Sequence, residues 1–136
     1  MQGARPLPKR IGTALMSKIL VIEEDSAMRV LISEWVSSLG HEVHAHLRPE
    51  GVPDEAVKLV ILDLPYLRSR RGAAMRTIEA MHRAYPHSSV IGISAQLGHS
   101  LGGGSSTARA FGVDRLVAKP CSKDELLDAV AVALAT

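Results

Sequence analysis

Lys58-Leu59-Val60-Ile61-Leu62-Asp63-Leu64-Pro65 is the stretch whose reading decides the fold. An apolar run carrying one carboxylate and closed by proline reads as a strand buried on both faces, the centre of a parallel sheet. An ionised Asp63 at the carboxyl end of such a strand is costly unless cations or hydrogen-bond donors meet it there. Open α/β sheets place their sites at that same end. Taken alone, Asp63 is equally readable as a cap on the following helix. The flanking sequence has to separate the two readings.

Upstream, Lys18-Ile19-Leu20-Val21-Ile22 is a second continuous apolar strand, ending in Glu23-Glu24-Asp25. A helix follows, with Asp25 or Ser26 as N-cap, Ala27, Val30, Leu31, Trp35 and Leu39 as its apolar face, and Gly40 closing it. His41 to Leu47 alternates, with Val43, Ala45 and Leu47 on one side and Glu42, His44 and His46 on the other. That pattern predicts a half-exposed edge strand. His44 and His46 share a face, but no cysteine or further carboxylate stands at ligand spacing, so they read as solvated edge residues. Arg48 to Val57 leaves room for one or two helical turns opening at Pro53, with Asp54 and Glu55 in the first turn.

Downstream of Asp63, the loop Leu64 to Gly72 carries Arg68, Arg70 and Arg71, and reads as a solvated loop ahead of a contact with a phosphodonor or a partner's acidic surface. A helix is predicted from about Ala73 to Tyr85, with Met75, Ile78, Met81 or His82, and Tyr85 inward, and Pro86 ending it. Ser89 to Ile93 is the fourth strand and stops at Ser94-Ala95. Gly102-Gly103-Gly104 opposes helix by about 1 kcal/mol per residue relative to alanine, so helix is expected only over Thr107 to Phe111. Arg115 to Ala118 is the fifth strand and ends in Lys119-Pro120. Ser122 and Glu125 form a capping box for the last helix, whose buried stripe is Leu126, Leu127, Val130 and Leu134. Five strand–helix repeats imply right-handed crossovers and a parallel sheet with helices on both faces.

The chain's 136 residues suffice for one domain with a sizeable core. Hydrophobic content of 46% against 22% charged residues describes a soluble globular protein rather than a disordered one. No apolar run is long enough to span a membrane. Residues 1–16 carry no sustained apolar segment and so are no secretory signal; they are expected to be a flexible extension, with 17–136 as the folded domain. The single cysteine, Cys121, excludes an internal disulfide framework and suits a reducing cytoplasm. A net charge of +2 and 3% aromatics leave little with which to track phosphates or stack bases, which argues against direct nucleic-acid binding.

Polar groups end four of the strands: Glu23 and Glu24, Asp63, Ser94, and Lys119. Carboxylates converging in one crevice raise each other's pKa and call for a cation. A hard divalent ion with oxygen ligands answers that call, and Mg²⁺ suits a few carboxylates plus waters. Lysine adds a point charge and serine a hydroxyl donor. Such a site is suited to placing a phosphoryl group on a carboxylate oxygen.

The pieces ILVIEEDSAMR, LVILDLP, VIGISA and LVAKP, in that order, resemble the receiver domain of bacterial two-component response regulators over about residues 17–135. The resemblance implies a doubly wound, flavodoxin-like (βα)5 fold with strand order 2-1-3-4-5. It also implies Asp63 as phosphoacceptor, Ser94 and Lys119 against the phosphoryl group, and Mg²⁺ on Glu23, Glu24, Asp63 and the backbone carbonyl of Pro65. The Lys119–Pro120 bond is expected to be cis. The implied partners are a histidine kinase or phosphotransfer protein and a downstream protein target, with a homodimer possible and the cytoplasm as location.

Several positions depart from the pattern. Glu24 replaces the usual aspartate, Pro65 arrives early, the arginines follow it, and the second helix is abbreviated. Leu116 stands at the usual aromatic switch position. A stand-alone phosphoacceptor is therefore the leading expectation, with a pseudo-receiver binding module beside it. An enzyme on a similar sheet is disfavoured. Glu23-Glu24 is not the Asp-x-Asp of a haloacid-dehalogenase-type phosphatase, EEDSAM is acidic where a flavodoxin binds phosphate, and DLP lacks a toprim nuclease's second aspartate.

Overall fold

A computed structural model describes residues 10–11, 14–49 and 53–135. Its main sheet is built from β1 (Lys18–Ile22), β2 (Glu42–His46), β3 (Val57–Asp63), β4 (Ser89–Ser94) and β5 (Arg115–Ala118). All neighbouring pairs are parallel and the spatial order is β2-β1-β3-β4-β5. Among the described residues, α1 (Ser26–Ser37), α2 (Arg71–Ala84) and α3 (Ser106–Phe111) connect β1 to β2, β3 to β4 and β4 to β5, and α4 (Lys123–Ala135) follows β5. This is the five-stranded doubly wound arrangement that the sequence implies.

The centre of the sheet is where the apolar runs are. Leu59, Val60, Ile61 and Leu62 of β3 are all at 0% exposure. Each such burial is worth about 1.5–3 kcal/mol. Leu59 and Ile61 join a core with Ile32 and Val36 of α1 and Leu126 and Val130 of α4. Val60 and Leu62 join the opposite core with Ala74, Ile78 and Met81 of α2 and Phe111 of α3. Gly92 on β4 lets Leu64 and Leu116 meet over it, since a Cβ there would lie 2.8 Å from Leu64 Cδ1 and 2.9 Å from Leu116 Cδ2. Gly92→Ala is expected to lower stability by about 1–3 kcal/mol, the usual cost of overpacking, read from the urea midpoint.

Four expectations are corrected at once. On α1 the buried residues are Ile32 and Val36, with Met28, Trp35 and Leu39 packed beside them. Val30 is 56% and Leu31 38% exposed. Both sets have helical spacing, and only the sheet's position chooses between them. Pro53–Ala56 forms a turn rather than the start of a helix, with Asp54 Oδ1 accepting from Ala56 N at 2.9 Å; residues 50–52 lie outside the described residues. On β2, which pairs only with β1, Val43 is half-buried but Ala45 is exposed, as is Leu47 beyond it. An edge strand has a neighbouring strand on one side only, which leaves more of its side chains uncovered. The stripe of α4 is likewise adjusted, with Ala129 and Ala133 buried beside Leu126 and Val130, and Leu127 and Leu134 only partly so.

The capping box is half formed. Ser122 Oγ accepts from Glu125 N at 3.0 Å, but the Glu125 carboxylate accepts from Ser100 Oγ at 3.2 Å, a competing donor from another loop. Within the expected extension, Arg10–Ile11 pairs antiparallel with Ala14–Leu15. The adjoining Ser17 donates its amide to His41 Nδ1 at 3.0 Å.

Candidate functional site

Asp63 ends β3, and its register partner on β4 is Ile93. The neighbouring strand β1 ends one residue before Glu23, and β5 ends one residue before Lys119. The sheet order therefore delivers two carboxylates and one ammonium to a single point. Lys119 Nζ lies 3.0 Å from Asp63 Oδ1 and 2.6 Å from Glu23 Oε1. The Glu23 side chain is 1% and that of Asp63 9% exposed.

Electrostatics follow from that crowding. Burial raises the Asp63 pKa to about 6, and the Glu23 carboxylate adds to the rise while Lys119 opposes it. Burial alone would lower the pKa of Lys119, but hydrogen bonds and charges from Glu23 and Asp63 outweigh it and the net shift is upward. Asp63 is thus no simple helix cap. The next helix opens at Arg71, and Arg70 at its N-cap position makes no side-chain capping bond.

Ser94 is fully buried beside the group. Its hydroxyl donates to the Leu64 carbonyl at 2.7 Å and accepts from Gln96 N at 3.0 Å, so it faces the chain just beyond Asp63 rather than the carboxylate. The Lys119–Pro120 bond is cis, as expected. Glu24 is exposed, and together with Asp63 and Pro65 it lines a cavity of about 170 Å³ walled by Ile22, Leu62 and Leu64. Two residues were not singled out from the sequence. Arg29 Nη1 donates to the carbonyls of Glu23 and Glu24 at 2.8 and 3.3 Å, shaping the acidic turn. Its place one helical turn after that pair was the available signal. Gln96 gave none.

The donor set meets the needs of a divalent ion in chemistry but not in arrangement. Glu23 Oε1 is buried without a hydrogen bond, although Lys119 Nζ is close enough for an ion pair. Glu24, Asp63 and Pro65 share one cavity wall, and every donor is a hard oxygen. Yet among the described residues no three acidic, histidine or cysteine side chains are gathered as a metal-ready group. The chemistry fits Mg²⁺; the cage is not preassembled.

No protein-family model matches the sequence, and no curated protein does. Solved structures do match. A response regulator from Thermotoga maritima aligns with a TM-score of 0.68 at 15% identity, over 90% of this chain and 100% of that one. This is a receiver fold. A CheY-like response regulator receiver domain protein from Methanospirillum hungatei gives 0.66 at 19% identity, over 88% and 94% of the two chains. A chemotaxis protein from Vibrio cholerae gives 0.63 at 16%, over 88% and 99%.

Around β5 the chain departs from the pattern that the resemblance implies. Leu116, where the resemblance implies an aromatic residue, is at 0% exposure and packs with Leu64 in the core. The outer edge of β5 is paired as well. Leu101 N donates to Leu116 O at 2.8 Å and Leu116 N to Leu101 O at 2.9 Å. Gly103 permits that path, because a Cβ there would lie 3.0 Å from the Asp114 carbonyl. The glycines that shorten α3 let the chain close an edge strand. No helix among the described residues is long and apolar enough to cross a membrane.

Proposed function

We propose that this chain is a phosphoacceptor signalling domain in which Asp63 takes a phosphoryl group from a histidine kinase, a phosphotransfer protein or a small phosphodonor. The observation that carries the reading is the Lys119 ammonium held between the buried Glu23 carboxylate and the half-buried Asp63 carboxylate at the carboxyl end of the sheet. An Asp63 oxygen attacks phosphorus and forms a P–O bond. The P–N bond of a phosphohistidine, or the P–O bond of an acyl phosphate, breaks, and its electron pair leaves with the imidazole or the carboxylate. Lys119 stays beside the acquired negative charge as its counter-ion. Ser94, on turning from the Leu64 carbonyl, supplies a hydroxyl donor to the phosphoryl oxygens.

Glu23, Glu24, Asp63 and the Pro65 carbonyl would hold Mg²⁺, which when bound supplies positive charge to the phosphoryl oxygens. The domain signals by protein contacts in the cytoplasm, as a monomer or homodimer, rather than by turning over an external substrate. The test is labelling by acetyl phosphate with Mg²⁺, followed by mass. Asp63 protein is expected to gain one phosphoryl group and Asp63→Asn none; equal labelling would place the acceptor elsewhere.

A pseudo-receiver that binds partners without being phosphorylated draws support from the ungathered carboxylates. Beryllofluoride with Mg²⁺ separates the two. Amide shifts at Asp63, Ser94 and Lys119 support the phosphoacceptor, and unmoved amides at millimolar reagent support the pseudo-receiver.

A further inference from the structure

A second concavity lies away from the carboxylates, between the loop after β3, the loop after β4 and α3. It encloses about 370 Å³ over an apolar floor of Leu67, Leu97, Leu101 and Phe111, with Arg68 and Arg71 at its sides. The Arg71 guanidinium sits 4.8 Å from the Phe111 ring centroid, which holds it over the floor. Among the described residues no carboxylate pairs with Arg68 or Arg71. The groove therefore presents apolar surface and two uncompensated cations together. A polyanionic backbone would match the cations but not the floor. A peptide segment with carboxylates beside an apolar side chain matches both.

The wall of this groove is tied to the first site. Gln96 Oε1 accepts from the amides of Arg68 and Ser69 at 2.7 and 3.0 Å, and Gln96 Nε2 donates to Ser69 Oγ at 3.0 Å. The amide of the same Gln96 donates to Ser94 Oγ. One residue thus joins the two, its side chain holding the arginine loop and its backbone N–H the Ser94 hydroxyl, so a rotation of Ser94 has a path through Gln96 to the position of Arg68.

We propose that this groove docks an acidic segment of a partner protein, with carboxylates on Arg68 and Arg71 and an apolar side chain on the floor, and that Ser94 adjusts it through Gln96. The docking stands by itself, whereas the adjustment rests on the phosphoacceptor reading of Asp63.

The test is an amide-shift titration of the full chain with a short peptide alternating glutamate and leucine, its glutamine-for-glutamate version, and an oligothymidylate. Shifts at Arg68, Ser69, Leu97 and Leu101 are expected. Affinity is expected to fall about tenfold for the glutamine peptide and for the Arg68→Ala/Arg71→Ala variant, two charge contacts' worth. Unmoved amides at millimolar peptide, equal binding of the glutamine peptide, or tighter binding of the oligothymidylate overturns the docking. Beryllofluoride with Mg²⁺ is expected to change the peptide affinity about threefold or more in the parent chain but not in Gln96→Ala, a coupling at the low end of the usual range. If it moves the Asp63 and Lys119 amides but not the affinity, the adjustment is overturned and the phosphoacceptor reading stands. If it moves no amide, that reading falls and the adjustment with it, while the peptide titration alone still decides the docking.

Discussion

Lys119→Met is expected to destabilise the metal-free domain by about 3–5 kcal/mol at about pH 8, the usual cost of removing one partner from a buried charge cluster. Glu23 and Asp63 are nearly inaccessible to water, and Lys119 is the cation in contact with both. Without it, two like charges face each other in a low-dielectric site. The deficit is expected to shrink below about pH 6, because a carboxylate freed of its counter-ion takes up a proton more readily. Lys119→Arg, which keeps the charge, is expected to lose less. Urea midpoints in chelator at about pH 8 and pH 5 measure this. A pH-independent loss, or one below about 1 kcal/mol, would show that the ammonium does not neutralise the pair.

Asp63→Asn is expected to act in the opposite direction. The folded-state pKa of Asp63, about 6, lies above its ordinary 3.8, with burial as the first cause and Glu23 as the second. The folded chain therefore binds that proton more tightly than the unfolded chain. Stability from this group is present below about pH 4 and is lost as pH rises through about 6. Asparagine has no such loss. In chelator the variant is expected to match the parent near pH 4 and to exceed it by about 1–3 kcal/mol above pH 7, since a tenfold difference in proton affinity is worth about 1.4 kcal/mol. Added Mg²⁺ is expected to stabilise the parent and to narrow the gap, because an ion that binds only the folded carboxylate adds stability by mass action. A variant less stable than the parent at neutral pH would contradict the sign.

Much of this molecule could be read along the chain because its signals are local. The run from Leu59 to Leu62 is buried on both faces, as continuous hydrophobicity requires. Asp25 caps α1 through Met28 N, and Gly40 takes a φ of 88°, each by chemistry confined to a few residues. Strand ends were equally readable, and with them Glu23, Asp63, Ser94 and Lys119. Where two local signals were of equal strength, the sequence could not choose. Ala27 with Val30 and Leu31, and Ile32 with Val36, both repeat at helical spacing, and only the second set meets the sheet.

By itself the sequence determined the five strands, their parallel arrangement and which side chains stand at the carboxyl edge, while their order came from the resemblance. Hydrophobic periodicity and handed crossovers depend on nearest neighbours and chirality alone. Tertiary structure decided what those side chains meet. Lys119 finds Glu23 as well as Asp63, Ser94 turns to the Leu64 carbonyl, and Leu101 closes the edge of β5. Gln96 reaches across 28 residues to the arginine loop. These contacts join residues far apart in the chain, and their angles and distances are set by how the loops pack, which no local pattern encodes.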